Sequence, residues 1–538
     1  MKLRLTLTAP IICALAACAP AAPGGAPGVD SIRSEDLKTD LTFLASGALE
    51  GRRTGEPGNL AAAEFVRMRF ARLGLQPAGP DGSYFQPYDL ATASLGEGNT
   101  LTAADSRGRR GALRQGVDFY PHRFSATAEA EGPVVFAGFG ITSPERQHDD
   151  LGGDLVRGAM VLVLDHEPGE MDPDSPFDGI IRAEAANPLQ KALFAQARGA
   201  AGLLVVRDVH NHEGDEDFAQ AAAGYWPEAG SRPRYTLRTW MDRVTIPVVQ
   251  VSVAAADALA VNAGTTLAEL AAASETRGGV TPKALGDVRI ALKTSLIREY
   301  APDRNVLAYI EGSDPALRDE LVIVCGHYDH TGTSGDRIFF GADDNGSGTV
   351  AVLEIAEAYA AAAAAGRQPR RSVLFAAWNA EEIGLLGAWA YTEAPFGPLD
   401  RTIGVLNMDM IGRNEEVPEG QGNSGRFRGL DEQTAASNAN AINVIGSTRS
   451  PALKAATEAA NAATGLELKF RYDNNASSLM RRSDHWPFLQ RGVPALWFHT
   501  GLHPDYHTER DTVDGIEWDK MTRIVKLVHQ MSWDLAER

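Results

Sequence analysis

The stretch "AAWNAEEIGLLGA", Ala376 to Ala388, sets Glu381 and Glu382 side by side at the end of an apolar run, where each carboxylate repels the other and both begin to lose water. Alone, such a pair reads as a solvated loop. Other stretches change that reading. "GHYDH" carries His327, Asp329 and His330, "GADDNGSG" carries Asp343 and Asp344, "NMDMIGR" carries Asp409, and "HTGLHPDYHTERDT" carries His499, His503 and His507. Buried carboxylates without partners are costly, and dications are the usual compensation. Two imidazoles and three carboxylates suit a pair of borderline cations about 3.5–4 Å apart that share a bridging carboxylate. Such a pair lowers the pKa of bound water toward ~7 and polarises a carbonyl, so an amide is hydrolysed without a protein nucleophile. A base is also required. If Glu382 is a ligand, Glu381 is free to accept the water's proton and pass it to the leaving amine.

Elements that bring these residues together can be read from the apolar runs. "ELVIVCG", "RSVLFAAWN", "RTIGVLNMD" and "VPALWFHTG" are four buried strands, most of them separated by helical segments such as "TVAVLEIAEAYAAAAAAG". That alternation predicts an α/β fold with a mixed, largely parallel sheet sandwiched by helices. Ligands of such sheets gather beyond the carboxyl ends of the strands, where the imidazoles and carboxylates fall. Upstream, "GNLAAAEFVRMRFARLGL" predicts a helix with Asn59 as its cap, Val66, Phe70 and Leu73 on one face, and Gly74 as its stop. Between residues 118 and 288 the texture changes to short β-like runs ("GPVVFAGFGI", "GAMVLVLDH", "AAGLLVVRD", "TIPVVQVS") with a helix at "NPLQKALFAQARGA", which predicts an inserted β-rich domain. The expected division is 1–17 signal peptide, 18–33 flexible tether, 34–117 first part of the catalytic domain, 118–288 insertion and 289–538 catalytic domain.

The 538 residues suffice for more than one core, and a net charge of −19 repels phosphate backbones, so nucleic acid is excluded as a partner. The start, "MKLRLTLTAPIICALAACAPAAPGGAPG", has a basic tip, a short apolar stretch and then small residues, the pattern of a secretory leader. No later run of apolar residues is long enough to span a bilayer. Of the three cysteines Cys13 lies in the leader and Cys18 at its end, which leaves Cys325 without an internal disulfide partner. "DVHNHEGDED", Asp208 to Asp217, has metal-binding residue types but reads as a solvated acidic loop. "GFGITS" lacks the third glycine of a dinucleotide loop, and no G-x-S-x-G nucleophile elbow occurs.

In order along the chain, "GHYDH", "GADDNGSG", "NAEEIGLLG", "NMDMIGR", "RSDHWPF" and "YHTERDT" resemble the co-catalytic zinc aminopeptidase family, which also includes glutamate carboxypeptidase and the non-catalytic transferrin receptor. The segment with "VVFAGFGITSPE" and "ARGAAGLLVV" resembles the protease-associated domain, and "LAAC" at Leu15 to Cys18 resembles a bacterial lipobox. The resemblance implies two Zn2+ ions, with Mn2+ or Co2+ as alternatives. His327 and Asp409 would complete one site, Glu382 and His507 the other, and Asp344 would bridge them. It gives Glu381 the general-base position and Asp329 the task of orienting His327. Asp343 reads as a loop group, His330 and His503 as alternative ligands, His499 as a pocket wall, and Asp484 and His485 as loop-holding groups. Met480 stands where some secreted relatives carry a Tyr that assists the oxyanion, so Arg481, Arg482 and Tyr506 are the candidates here. The expectation is an exported, lipid-anchored exopeptidase of the periplasm or cell envelope, an aminopeptidase acting on peptides. A carboxypeptidase or dipeptidase is the alternative within the enzymes, and a receptor-like binding protein the alternative outside them.

Overall fold

In the computed structural model, the described residues are 25–538 except 106–109, 213, 215–216, 228–231 and 423–424. The leader and Cys18 lie outside them. The tether expected to run to residue 33 is anchored from Ala26 onward. Ala26 and Ile32 are buried, Ala26 N donates to Gln530 Oε1 (2.7 Å) and His529 Nε2 meets Pro27 O (2.9 Å), because the terminal helix presents polar groups to this segment.

The four apolar runs form the centre of the larger sheet, in the order Ser372–Trp378, Leu321–His327, Thr402–Met408, Ala495–His499, all parallel. They are buried on both faces, which is why they read as continuous apolar runs and not as alternating ones. Antiparallel strands Leu296–Ile310 and Phe85–Leu95 extend the sheet on one side, and Ala441–Ile445, antiparallel to Ala495–His499, extends it on the other. On one face lie Ser34–Leu44, Pro57–Arg72, Gly348–Ala364 and Trp518–Glu537, whose buried stripes (Leu37, Leu41, Leu44; Ile524, Val528, Met531, Leu535) recur at helical spacing. Helices Leu386–Glu393 and His485–Gln490 cover the other. The expected α/β sandwich with a mixed sheet is present; its centre is parallel, while the pairs that flank the centre are mostly antiparallel.

Helix Pro57–Arg72 starts at Glu56, so Asn59 is not its cap. Asn59 lies inside the helix, buried, and its Nδ2 donates to Arg52 O and Asn379 Oδ1. Tertiary partners outbid the local capping preference of Asn. Val66 and Phe70 are buried and Gly74 takes φ +71°, as expected.

The runs between 118 and 288 supply strands of a second sheet, whose middle is Ala128–Phe136, Met160–Leu164, Gly202–Val206 and Val248–Val251, parallel to one another. This sheet reaches further than the change of texture suggests, because Thr100–Ala104, Arg110–Leu113 and all of Lys283–Thr294 pair into it. Thr100–Ala104 and Arg110–Leu113 close one edge of the sheet and are mostly half-exposed or exposed, so they carry no apolar run to announce them. Lys283–Thr294 passes through Ser295 directly into Leu296–Ile310, which joins the two sheets. No helix among the described residues is long and apolar enough to cross a membrane.

Candidate metal centre

Because the four central strands are parallel, their carboxyl ends share one rim, and the motif residues leave from it. His327 ends its strand, fully buried. Its Nε2 lies 3.6 Å from Asp409 Oδ1, 3.5 Å from Asp344 Oδ1 and 3.7 Å from Glu381 Oε2. On the other side of Asp344, Oδ2 lies 2.8 Å from His507 Nε2, which is itself 3.1 Å from Glu382 Oε2. Asp344 thus turns one oxygen toward each of two groups, His327 with Asp409 and Glu381, and His507 with Glu382. The six residues expected from the sequence as ligands and base come together here.

His330 joins them. Its Nδ1 faces Glu382 Oε1 at 2.7 Å and Asp344 Oδ2 at 3.7 Å. His503 does not, because its Nε2 turns to Asp343 Oδ2 at 3.3 Å; Asp343 Oδ1 also accepts from Gly412 N (2.6 Å). His499 packs on Trp497 and meets the Asp409 carbonyl, a wall position. Asp484 and His485 are buried, but neither Asp484 oxygen nor either His485 ring nitrogen has a side-chain hydrogen-bond partner, so the expected loop-holding bonds are not made by those atoms. Met480 is buried in the apolar cluster, while Arg481, Arg482 and Tyr506 line the cleft.

The supporting contacts fix backbone as well as side chains. Asp329 accepts from Glu381 N (3.1 Å) and Glu382 N (3.3 Å), and its Oδ1 stands 3.5 Å from His327 Nδ1. His327 Nδ1 also meets the Asp329 carbonyl (3.2 Å), so Asp329 orients the imidazole through backbone and carboxylate and the two-glutamate turn through its carboxylate. Ser483 Oγ donates to Asp409 Oδ2 (2.5 Å) and receives from Asn407 Nδ2 (2.7 Å). Two residues without an assigned role in the sequence complete the frame. Asp511 accepts from the backbone N–H of Asp343 and Asp344. Arg52, wholly buried, donates to the carbonyls of Tyr328, Leu44, Phe340 and Gly341 and so staples the loops on which His330 and Asp344 sit. Asp511 lies in the quoted "YHTERDT" and Arg52 in "LEGRRTGEPGN", residues 49–59, but nothing local marks a residue whose partners are distant backbone groups.

The electrostatics separate the adjacent glutamates. Burial, reinforced by Asp409, Asp484 and Glu382, pushes the Glu381 carboxyl well above the usual range. Glu382 is also buried, yet His507 and His330 hold it well below that range. Burial disfavours charge on His327 and His507, but the carboxylates prevail: Glu381 and Asp409 raise His327 well above the imidazole range, and Glu382 with Asp344 pushes His507 up to about 11. The site is acidic enough to need positive charge at its centre. Buried atoms aimed inward, His327 Nε2, His330 Nδ1, Asp344 Oδ2, Glu382 Oε1 and His507 Nε2, make close contacts without hydrogen-bond geometry. Such donors fit divalent cations of the zinc class.

The cleft over this rim measures about 270 Å³ and is lined by Leu385, Met410, Leu479 and Leu502 besides the polar groups.

Residues 305–532 match the model of Peptidase family M28. A probable zinc metalloprotease of Pyrenophora tritici-repentis is 29% identical over 260 residues, 43% of this chain and 51% of that protein. The probable glutamate carboxypeptidase AMP1 of Arabidopsis thaliana is 26% identical over 409 residues, 73% of this chain and 52% of that one. The chain spans about half the length of the curated relatives it matches. Among solved structures, an aminopeptidase from Aneurinibacillus sp. strain AM-1 aligns over 95% of both chains at 18% identity with a TM-score of 0.46. The matched residues 305–532 contain the whole rim, and this part of the chain is a Peptidase M28 domain.

Proposed function

We propose that the protein is an exported dinuclear-zinc exopeptidase, an aminopeptidase that removes N-terminal residues from peptides. The observation that carries this reading is Asp344, whose two oxygens lie 3.5 Å from His327 Nε2 and 2.8 Å from His507 Nε2. His327 and Asp409 would hold one ion, Glu382 and His507 the other, and Asp344 would bridge them. The zinc pair, when bound, supplies Lewis acidity and brings the pKa of coordinated water toward ~7. Glu381, beside but not needed in either ligand set, accepts the proton of the attacking water and delivers it to the leaving amine. Asp329 keeps His327 and both glutamates in place. His330 faces the outer oxygen of Glu382 and fixes that carboxylate's plane. Arg481, Arg482 and Tyr506, which line the cleft, are the candidates for stabilising the carbonyl oxygen as it gains charge.

A cleft of about 270 Å³ suits one terminal residue better than a length of chain, since ligand pockets commonly measure about 300–1,000 Å³. Its apolar lining favours an apolar side chain. The acidic rim attracts a free ammonium, which favours the amino terminus, whereas Arg481 and Arg482 favour the carboxypeptidase or dipeptidase reading. Assays on aminoacyl amides and N-blocked dipeptides decide between them: hydrolysis of the amides alone is expected, and cleavage confined to the blocked dipeptides overturns the aminopeptidase assignment. No hydrolysis of either, with zinc bound, favours a receptor-like binding protein.

The second sheet is proposed as the protease-associated domain, on the strength of the motifs it contains. Export and lipid attachment at Cys18 are proposed from the leader and its "LAAC". Labelling with a radioactive fatty acid, lost in Cys18→Ser, is the expected result; an unlabelled wild-type chain contradicts it.

A further inference from the structure

The second sheet also brings metal-binding residue types to the carboxyl ends of parallel strands. Met160–Leu164 and Gly202–Val206 run side by side, so the segments leaving them emerge together. His166 and Glu170 stand on one segment and His212 on the other. Glu170 Oε2 lies 2.5 Å from His166 Nδ1, Glu170 Oε1 lies 2.5 Å from His212 Nε2, and the two ring nitrogens are 3.0 Å apart. Side-chain exposure is 10% for Glu170, 18% for His166 and 32% for His212.

We propose that His166, Glu170 and His212 form a third metal site, separate from the peptidase rim, that takes a borderline divalent cation such as Zn2+. The two ring nitrogens and the two oxygens of Glu170 converge, with neighbouring contacts of 2.5, 2.5 and 3.0 Å. A proton between His166 and Glu170 satisfies one contact only. Glu170 Oε1, buried and 2.5 Å from His212, makes no hydrogen bond, so this contact has the distance of one without its geometry. A cation meets all three lone pairs at once. Two imidazoles and a carboxylate are a zinc donor set with an open fourth position, whereas calcium and magnesium prefer oxygen. Tetrahedral bonds of 2.0–2.2 Å set donors about 3.3 Å apart, so loading spreads the three by less than ~1 Å. The half-exposed His212 has room for that movement.

The surroundings support such a centre. Asp165 Oδ2 stands 3.8 Å from His166 Nε2, behind the proposed ligand, where a carboxylate commonly orients a metal-binding imidazole. Glu275 ties the two segments together without the cluster, accepting from Gly169 N (2.7 Å) on one and Asn211 Nδ2 (2.5 Å) on the other. The Arg182 terminal nitrogen is within hydrogen-bond distance (3.2 Å) of both His166 nitrogens, so it turns away from Nδ1 when the ion is loaded. The segment that begins at His166 runs on to Asp178, paired with Arg449 (2.8 Å), and Glu184, paired with the cleft residue Arg481 (3.3 Å). The segment that carries two of the proposed ligands thus continues to one wall of the cleft.

The test is zinc titration of the full-length chain after chelator treatment, read by elemental analysis and calorimetry. Wild type is expected to bind one equivalent more than His166→Ala/His212→Ala. Asp344→Asn/His507→Ala, with the rim disabled, is expected to retain one equivalent, which disappears when the two pairs of substitutions are combined. Equal stoichiometry in wild type and His166→Ala/His212→Ala overturns the site. Glu170→Gln keeps the side-chain shape and guards against a folding artefact: it is expected to weaken the retained equivalent about tenfold or more. Unchanged affinity in that variant, with an unchanged circular-dichroism spectrum, also overturns the proposal.

Discussion

The rim of the larger sheet and that of the second are built on one plan, parallel strands whose carboxyl ends carry imidazoles and carboxylates, and they differ in how those groups are held. At the larger sheet His327 and His330 are fully buried, and Asp329, Asp511, Ser483 and Arg52 fix the side chains or the backbone that bears them. At the second sheet the cluster is partly exposed, and Glu275 ties the two loops. A rim that is dry and held from several sides can drive adjacent glutamates toward opposite protonation states. A wetter rim with fewer supports can hold an ion but has little to tune a base.

Substitutions that spare the ligands but remove the tuning test this contrast best. Glu381→Gln is expected to lower kcat by about 10²–10⁴-fold while zinc content stays at the wild-type level. Loss of zinc with activity would make Glu381 a ligand and erase the distinction drawn between the two glutamates. Next in size is the staple. Arg52→Leu strands four buried carbonyls and is expected to cost about 3 kcal/mol or more in urea unfolding. Lys191→Met, which strands only the carbonyls of Leu164 and His166 beside the second rim, should cost less. Equal costs would mean that the two rims are equally supported.

Asp329→Asn keeps the shape but weakens the hold on His327 and on the glutamate turn, so zinc affinity is expected to fall about 10–100-fold. A change under twofold would reduce Asp329 to loop charge. The smallest effects concern pH. Burial, with Glu357 and Asp36 nearby, pushes Glu354 under the larger sheet up to about 8. Between the unfolded value near 4.5 and about 8 the folded chain holds the extra proton, so this residue's contribution to stability is lost as pH rises through that window. Burial lowers His122 in the second sheet to about 4, so its contribution is lost as pH falls from about 6.5 to 4. Melting curves of Glu354→Gln and His122→Gln should each flatten the slope in its own window. A slope unchanged from wild type in either window removes that residue from the account.

Much of this was legible in the sequence because burial on both faces leaves an unbroken apolar run. The runs ending at His327, Trp378, Met408 and His499 are the four central strands, and the residues expected to meet there do. What spacing could not supply was direction. "GHYDH" holds two imidazoles that both face the rim, and "HTGLHPDYHTERDT" holds three of which only His507 does, since His503 turns to Asp343 and His499 to Trp497. The frame was hidden for another reason. Arg52 and Asn59 act on carbonyls and amides far away in the chain, and Asn59 gives up the cap that its residue type favours. Strands Thr100–Ala104 and Arg110–Leu113 escaped notice because pairing at the margin of a sheet requires little apolar surface.

The claim on which the rest depends is that Asp344 joins two cations. Crystals of the zinc-loaded chain, with anomalous scattering recorded on either side of the zinc edge, measure this directly. The account predicts two peaks about 3.5–4 Å apart flanking the Asp344 carboxylate, one against His327 and Asp409 and the other against Glu382 and His507. A single peak, or two peaks that share no carboxylate, would contradict it.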